Sequence, residues 1–152
     1  MSVIVDDQDV LLQYNAPGGW IPGGTSFEYM GTTTSSKTLG DSVIFTFEGS
    51  SISVYATVGP SGGSSMGFGI DQSVISLYSA PAVTSAMYHQ VLWTSAFLPE
   101  GSHTLEMIQN SSYPNNTIFL DYLLYNTHRP PARPYSSMIV TPSCNTRPAG
   151  WR

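Results

Sequence analysis

Asp6, Asp7 and Asp9 are the densest group of ionisable side chains in the chain, and carboxylates are the ligands calcium selects, six to eight oxygens at a time. The string is not an EF-hand loop, because Leu11 stands where a third ligand and then a glycine should follow. The competing duty for such a cluster is a solvated turn whose carboxylates cap exposed backbone N–H groups. Asp121 interrupts the apolar run Phe119-Leu120-Asp121-Tyr122-Leu123. A carboxylate buried there must be paired, hydrogen-bonded or metal-bound to stay ionised, whereas simple alternation would turn it to solvent.

Other chemistries find less support. His89, His103 and His128 lie far apart, with neither an H-E-x-x-H string nor a second cysteine for zinc. They read as structural or surface histidines. Gly59-Pro60-Ser61-Gly62-Gly63 spells G-x-S-x-G but lacks the following helix that gives a nucleophile elbow its meaning, so we read it as coincidence. Glu28, Glu48, Glu100 and Glu106 have no spacing that marks a glycosidase pair.

The aromatic supply points elsewhere. Sugars present C–H faces to aromatic rings and hydroxyls to Asp, Asn or Gln, and rigid amphipathic rings give contact area at small entropic cost. Trp20 stands in a loop between Gly19 and Pro22, and Tyr113 in the loop from Asn110 to Asn116. Trp20, Tyr29 and Tyr113, with Asn15 and Asn115 as hydrogen-bonding partners, are the expected glycan-contacting set. Trp93 is mid-strand and fits the core. Asn110-Ser111-Ser112 and Asn115-Asn116-Thr117 match the N-glycosylation sequon.

Composition narrows the class. A chain of 152 residues suits one domain. Charged residues are only 10%, so polarity comes from 22 Ser, 14 Thr and turn residues, with β-branched Thr at home in strands. All ten acids lie within residues 1–128, while four of the five bases (Arg129, Arg133, Arg147 and Arg152) lie within 129–152, leaving Lys37 alone in the body. Nucleic acid, which requires clustered cations, is thereby disfavoured as a partner. Cys144 is the only cysteine and cannot form an intrachain disulfide. No apolar run reads as a signal peptide or a membrane span, so direct membrane insertion is not expected.

These side chains need a β scaffold. Period-2 alternation predicts strands at Val10–Tyr14, Ser42–Phe47, Ser51–Val58, Phe68–Ile70, Val74–Tyr78, Tyr88–Thr94, His103–Ile108 and Ile118–Tyr125. Met1-Ser2 directly precedes the first strand, as in a mature domain or a truncated chain. Glu48-Gly49-Ser50 reads as a hairpin turn, residues 59–69 as a Gly/Ser-rich loop, and β-strand 103–108 as pairing onward with 118–125. From Asn126 five prolines fall among 27 residues. Residues 1–126 are thus expected to form a β-sandwich domain and 127–152 a Pro-rich tail or arm.

Several segments together resemble an extracellular domain of basidiomycete fungal surface proteins. They are Asp6-Asp7-Gln8-Asp9 with Gln13-Tyr14, Trp20, Gly24-Thr25, Phe45-Thr46-Phe47-Glu48-Gly49-Ser50, Val54-Tyr55, Tyr88-His89-Gln90-Val91-Leu92, Gly101-Ser102-His103-Thr104-Leu105 and Leu120-Asp121-Tyr122. The similarity covers about residues 4–125. It implies an all-β, galactose-binding-domain-like jelly-roll β-sandwich of about eight or nine mostly antiparallel strands, shared by carbohydrate-binding modules. It also implies a structural calcium between the first strand and a late one, with Asp7, Asp9 and Asp121 at the corresponding positions. The expected function is a non-catalytic, lectin-like glycan-binding module, secreted or on a cell surface, with glycosylation at Asn110 and Asn115. The alternative is a self-assembling coat or filament subunit that uses the C-terminal arm as its connector.

Overall fold

Alternating apolar residues leave each strand with one face to hide, and two sheets closing on each other satisfy that need. The computed structural model describes residues 1–15, 17–60, 64–73, 76–111 and 118–128. Through them run β1 (Ser2–Asp6), β2 (Gln13–Tyr14), β3 (Ile21–Gly23), β4 (Thr33–Ser35), β5 (Ser42–Gly49) and β6 (Ser51–Val58). They are followed by β7 (Ser65–Ile70), β8 (Ser76–Ser79), β9 (Met87–Thr94), β10 (Gly101–Gln109) and β11 (Ile118–Asn126). One sheet has the order β3-β4-β11-β6-β9, with β1 sharing the β4 side of β11, and the other has the order β2-β5-β10-β7-β8. Every pairing is antiparallel.

The core lies between the sheets. Val43, Phe45 and Phe47 of β5 face Ile52, Val54 and Ala56 of β6, and Phe68, Leu105, Met107, Leu120 and Leu123 complete the packing. Each such side chain contributes about 1.5–3 kcal/mol on burial. The fold class is as expected, an all-β sandwich of antiparallel sheets. The strand count exceeds eight or nine because β2, β3 and β4 are only two or three residues long.

Four local expectations change. Val10 and Leu11 are exposed and outside any strand, because Asp9 Oδ1 accepts the Leu11 N–H at 2.9 Å and Asp9 C=O that of Leu12, which holds 9–12 as a turn. Only Gln13–Tyr14 is strand. The 59–69 loop is shorter than its composition suggests, since β7 begins at Ser65 and buries Met66, Gly67 and Phe68. β10 does not pair with β11; it lies between β5 and β7 in the opposite sheet. β5 and β6 likewise form no hairpin, because the chain crosses between sheets at Gly49-Ser50. A Cβ on Gly49 would run into the carbonyl of Asn126, so only glycine makes this corner. The sole helical element among the described residues is a 3-10 turn at Tyr29–Gly31.

Candidate functional site

The loop after β2 is built to hold Trp20. Asn15 Oδ1 accepts the Trp20 indole Nε1–H at 2.7 Å and the Ser42 N–H at 2.9 Å. Buried Asp41 accepts the Gly19 N–H at 2.7 Å and the Ser36 hydroxyl. Backbone and side chains crowd so closely that a Cβ at Gly18 would meet the Asn15 carbonyl and one at Gly19 the Thr38 hydroxyl. The indole then leans on Tyr14, ring centroids 5.0 Å apart. Tyr14 donates its hydroxyl to the Asp7 carbonyl at 2.7 Å, and burial pushes its phenol far above the ordinary range.

Trp20 and Tyr14 form part of a cleft of about 330 Å³, with Asp7, Gln8, Asp9, Pro22 and Thr34 among its other lining residues. That volume matches the lower end of small-ligand sites, and the lining mixes rings with carboxylate and amide groups. The structure therefore brings Trp20 and Asn15 together, with Asn15 positioning the indole. Tyr14 and Gln8 are cleft residues absent from the predicted set. Their signal was weak, since Tyr14 looked like one more strand aromatic.

Tyr29 sits elsewhere, in the 3-10 turn against the outer face of the six-stranded sheet. Its N–H donates to Asp121 Oδ1 at 2.8 Å, and its ring contacts Tyr122, which stacks on Tyr55 at 4.5 Å and 11°. The stacked rings bridge neighbouring strands β11 and β6. Asp121 is the unpaired residue of a β-bulge between Leu120 and Tyr122, and its carboxylate is fully buried beneath the Tyr29 turn that covers the sheet's outer face. Burial raises its carboxyl above the ordinary range, against the lowering effect of the Tyr29 N–H and then of His89. His89 Nδ1 stands 3.1 Å from Asp121 Oδ2, without the alignment of a hydrogen bond. His89 itself has φ of 53° where β9 is irregular opposite β6. Nothing local in the sequence paired these two residues, which are brought together by irregularities in two different strands.

Of the three carboxylates predicted for calcium, Asp7 and Asp9 accept hydrogen bonds from nearby donors. Asp7 is fully buried and accepts the hydroxyls of Thr32 at 2.7 Å and Thr34 at 2.6 Å and the Gln8 amide at 3.0 Å. Its N–H donates to the Asp121 carbonyl, which ties the first strand's end to β11. Asp9 Oδ1 caps Leu11. Among the described residues no three His, Cys, Asp or Glu side chains converge as a metal-holding group. Hydroxyl and amide donors thus occupy the Asp7 oxygens, whereas Asp121 Oδ2 is buried with no hydrogen-bond donor.

Asn110 follows β10 with its side chain exposed, its Nδ2 3.4 Å from Ser65 Oγ. Tyr113 and Asn115 lie outside the described residues, as do residues 61–63 of the G-x-S-x-G string. A second cleft, about 240 Å³, has Glu28, Tyr88 and Phe119 among its lining residues, with Glu28 held by Thr25 and Thr57. A groove of about 470 Å³ opens between β9 and the β7–β8 side of the other sheet.

No family model matches the chain, and no curated protein matches it in sequence. Solved structures do match. A family two carbohydrate esterase from Cellvibrio japonicus aligns with a TM-score of 0.59 at 17% identity, over 84% of this chain and 34% of the esterase. The chain thus spans about a third of that enzyme's length. Two carbohydrate-binding modules are matched nearly end to end. One is the CBM36-1 domain of a multidomain xylanase from the hindgut metagenome of Trinervitermes trinervoides, with TM-score 0.54, 12% identity, and 85% of this chain on 99% of that one. The other is the CBM35 of Cellvibrio japonicus Abf62, with TM-score 0.55, 10% identity, and 82% on 91%. Likeness at such low identity identifies the fold, and that fold is the β-sandwich of these carbohydrate-binding modules.

Proposed function

We propose that this chain is a non-catalytic glycan-binding module of an extracellular or cell-surface protein, with its ligand in the Trp20 cleft. The observation that carries the reading is the fixed indole. Trp20 is locked by Asn15 and seated on Tyr14, so a sugar ring meets a wall whose ordering cost is already met. Asp9 and Gln8 supply polar groups beside it. The near end-to-end likeness to carbohydrate-binding modules supports the same class. Likeness to part of an esterase fits an accessory domain better than a catalytic one, because fold alone carries no chemistry. Affinity per site is expected to be weak and raised by multivalent display.

Calorimetric titration of soluble mannan, xylan and β-glucan into the native chain and into Trp20→Ala tests this. Saturable binding to one of them, lost in the variant, supports the module. Equal binding by both proteins would move the ligand away from Trp20.

A further inference from the structure

The groove of about 470 Å³ beside β9 lies apart from the Trp20 cleft. Tyr14 of the cleft belongs to β2 and Phe68 of the groove to β7, three strands further across the same sheet. At about 4.8 Å per strand that is roughly 14 Å, too far for one sugar ring to fill both.

The groove's aromatic wall is fixed before any ligand arrives. Phe68 is fully buried and stacks on the Trp93 indole at 5.4 Å and 8°. The core thus backs one face of the indole, while the half-buried side chain borders the groove. The indole N–H has no acceptor among the described residues, although a tryptophan packed this far usually finds one. Beside it, residues 95–98 are pinned at both ends, by the Ser95 N–H on the Ile52 carbonyl and the Leu98 N–H on the Ser50 carbonyl. Between those anchors Phe97 is held at the rim, 82% exposed.

The polar wall is fixed as well. Asp71 and Gln72, with φ of 52° and 62°, make a two-residue turn that returns the Ser73 N–H to the Ile70 carbonyl at 2.8 Å. Ser73 Oγ accepts the Ile70 N–H and Ser95 Oγ the Ile52 N–H, each at 3.0 Å. Both hydroxyls serve there as acceptors and keep their own protons to donate. Asp71, the one acid among the lining residues, is engaged by the His103 ring at 2.6 Å and the Thr104 N–H at 2.8 Å. A charged ligand would find no counter-charge here, and a hydrocarbon would leave the indole N–H and both hydroxyls without partners. A neutral ring with hydroxyls at its edge and C–H groups on its face answers both walls.

We propose that this groove binds a neutral sugar independently of the Trp20 cleft. The ligand class rests on the glycan-binding reading above, whereas the place of the site rests on Trp93. With both sites filled, one module holds two stretches of glycan, which strengthens binding to long chains over short ones.

The test is an NMR titration of the full chain with manno-, xylo- and gluco-oligosaccharides. It follows the Trp93 indole N–H and the amides of Ile70, Ser73, Ser95 and Leu98. Saturable shifts of this set are expected in the native chain and equally in Trp20→Ala. Trp93→Phe, which keeps a ring on Phe68 but removes the indole N–H, should weaken the groove by about two- to tenfold and leave the Trp20 cleft as it was. Shifts confined to the Trp20 cleft overturn this inference and leave the first site standing. Shifts confined to the groove uphold it and overturn the first site, and silence at both overturns the two together. Groove shifts that vanish in Trp20→Ala overturn its independence, and an unchanged groove affinity in Trp93→Phe overturns the indole's part in it.

Discussion

At the scale of single residues, Asn15 and Trp20 act as one unit. Replacing Asn15 by Ala leaves the indole N–H and the Ser42 N–H without their acceptor. It should cost about 1 kcal/mol in chemical denaturation while weakening glycan binding by freeing the ring. His103 supplies a prediction in pH. Its Nδ1 faces Asp71 Oδ2 at 2.6 Å and its Nε2 the Pro99 carbonyl at 2.7 Å, so two acceptors favour the imidazolium. The Asp71 bond, then Pro99, hold the His103 imidazole above its ordinary range. The His103 bond, then the Thr104 N–H, hold Asp71 below 3.8. The His103 contribution is complete below about pH 6.5 and is lost as pH rises through the raised folded value. The Asp71 contribution is complete above its unfolded pKa and is lost as pH falls through the lowered one. Thermal melting from pH 4 to 9 should therefore show stability lost on the alkaline side of pH 6.5. His103→Gln should flatten that slope, and an unchanged slope would remove His103 as its source.

At the scale of elements, the corner between β5 and β6 decides the topology. Gly49→Ala drives a Cβ into the Asn126 carbonyl and should destabilise by about 1–3 kcal/mol, while Gly101→Ala, with open space at its Cβ, should be near neutral. Equal melting temperatures for the two variants would contradict the close approach. The bulge at Asp121 makes a parallel case. Asp121→Ala strands the Tyr29 N–H and should cost about 1–3 kcal/mol. The same two places mark how much was legible in the sequence. Alternation in 42–47 and 51–58 correctly assigns Phe45 and Val54 to the core. A hairpin and a sheet-to-sheet corner require the same alternation, so the pattern cannot tell them apart. Asp121 violated the period by one residue, which marked it as unusual, but its contact with His89 depends on irregularities in two strands distant in sequence. The loop position of Trp20 was legible because Gly19 and Pro22 flank it. Gln8 and Tyr14 were not, since cleft membership is set by where β1 ends relative to β4.

At the scale of the whole molecule, residues 1–128 carry ten acids against one base, a balance that disfavours polyanionic ligands. With Asp7 already satisfied by Thr32, Thr34 and Gln8, calcium and chelator should give the same melting temperature; a saturable rise with calcium would restore the ion. The assembly alternative predicts particles that grow with concentration and vanish when residues 127–152 are removed, read by light scattering. The decisive measurement follows the Trp20 indole N–H resonance of the full chain during titration with manno-, xylo- and gluco-oligosaccharides. We expect a saturable shift of that resonance and of Gln8, Asp9 and Tyr14 with at least one of them. A silent cleft at millimolar concentrations of all three, or shifts confined to another face, would contradict the assignment.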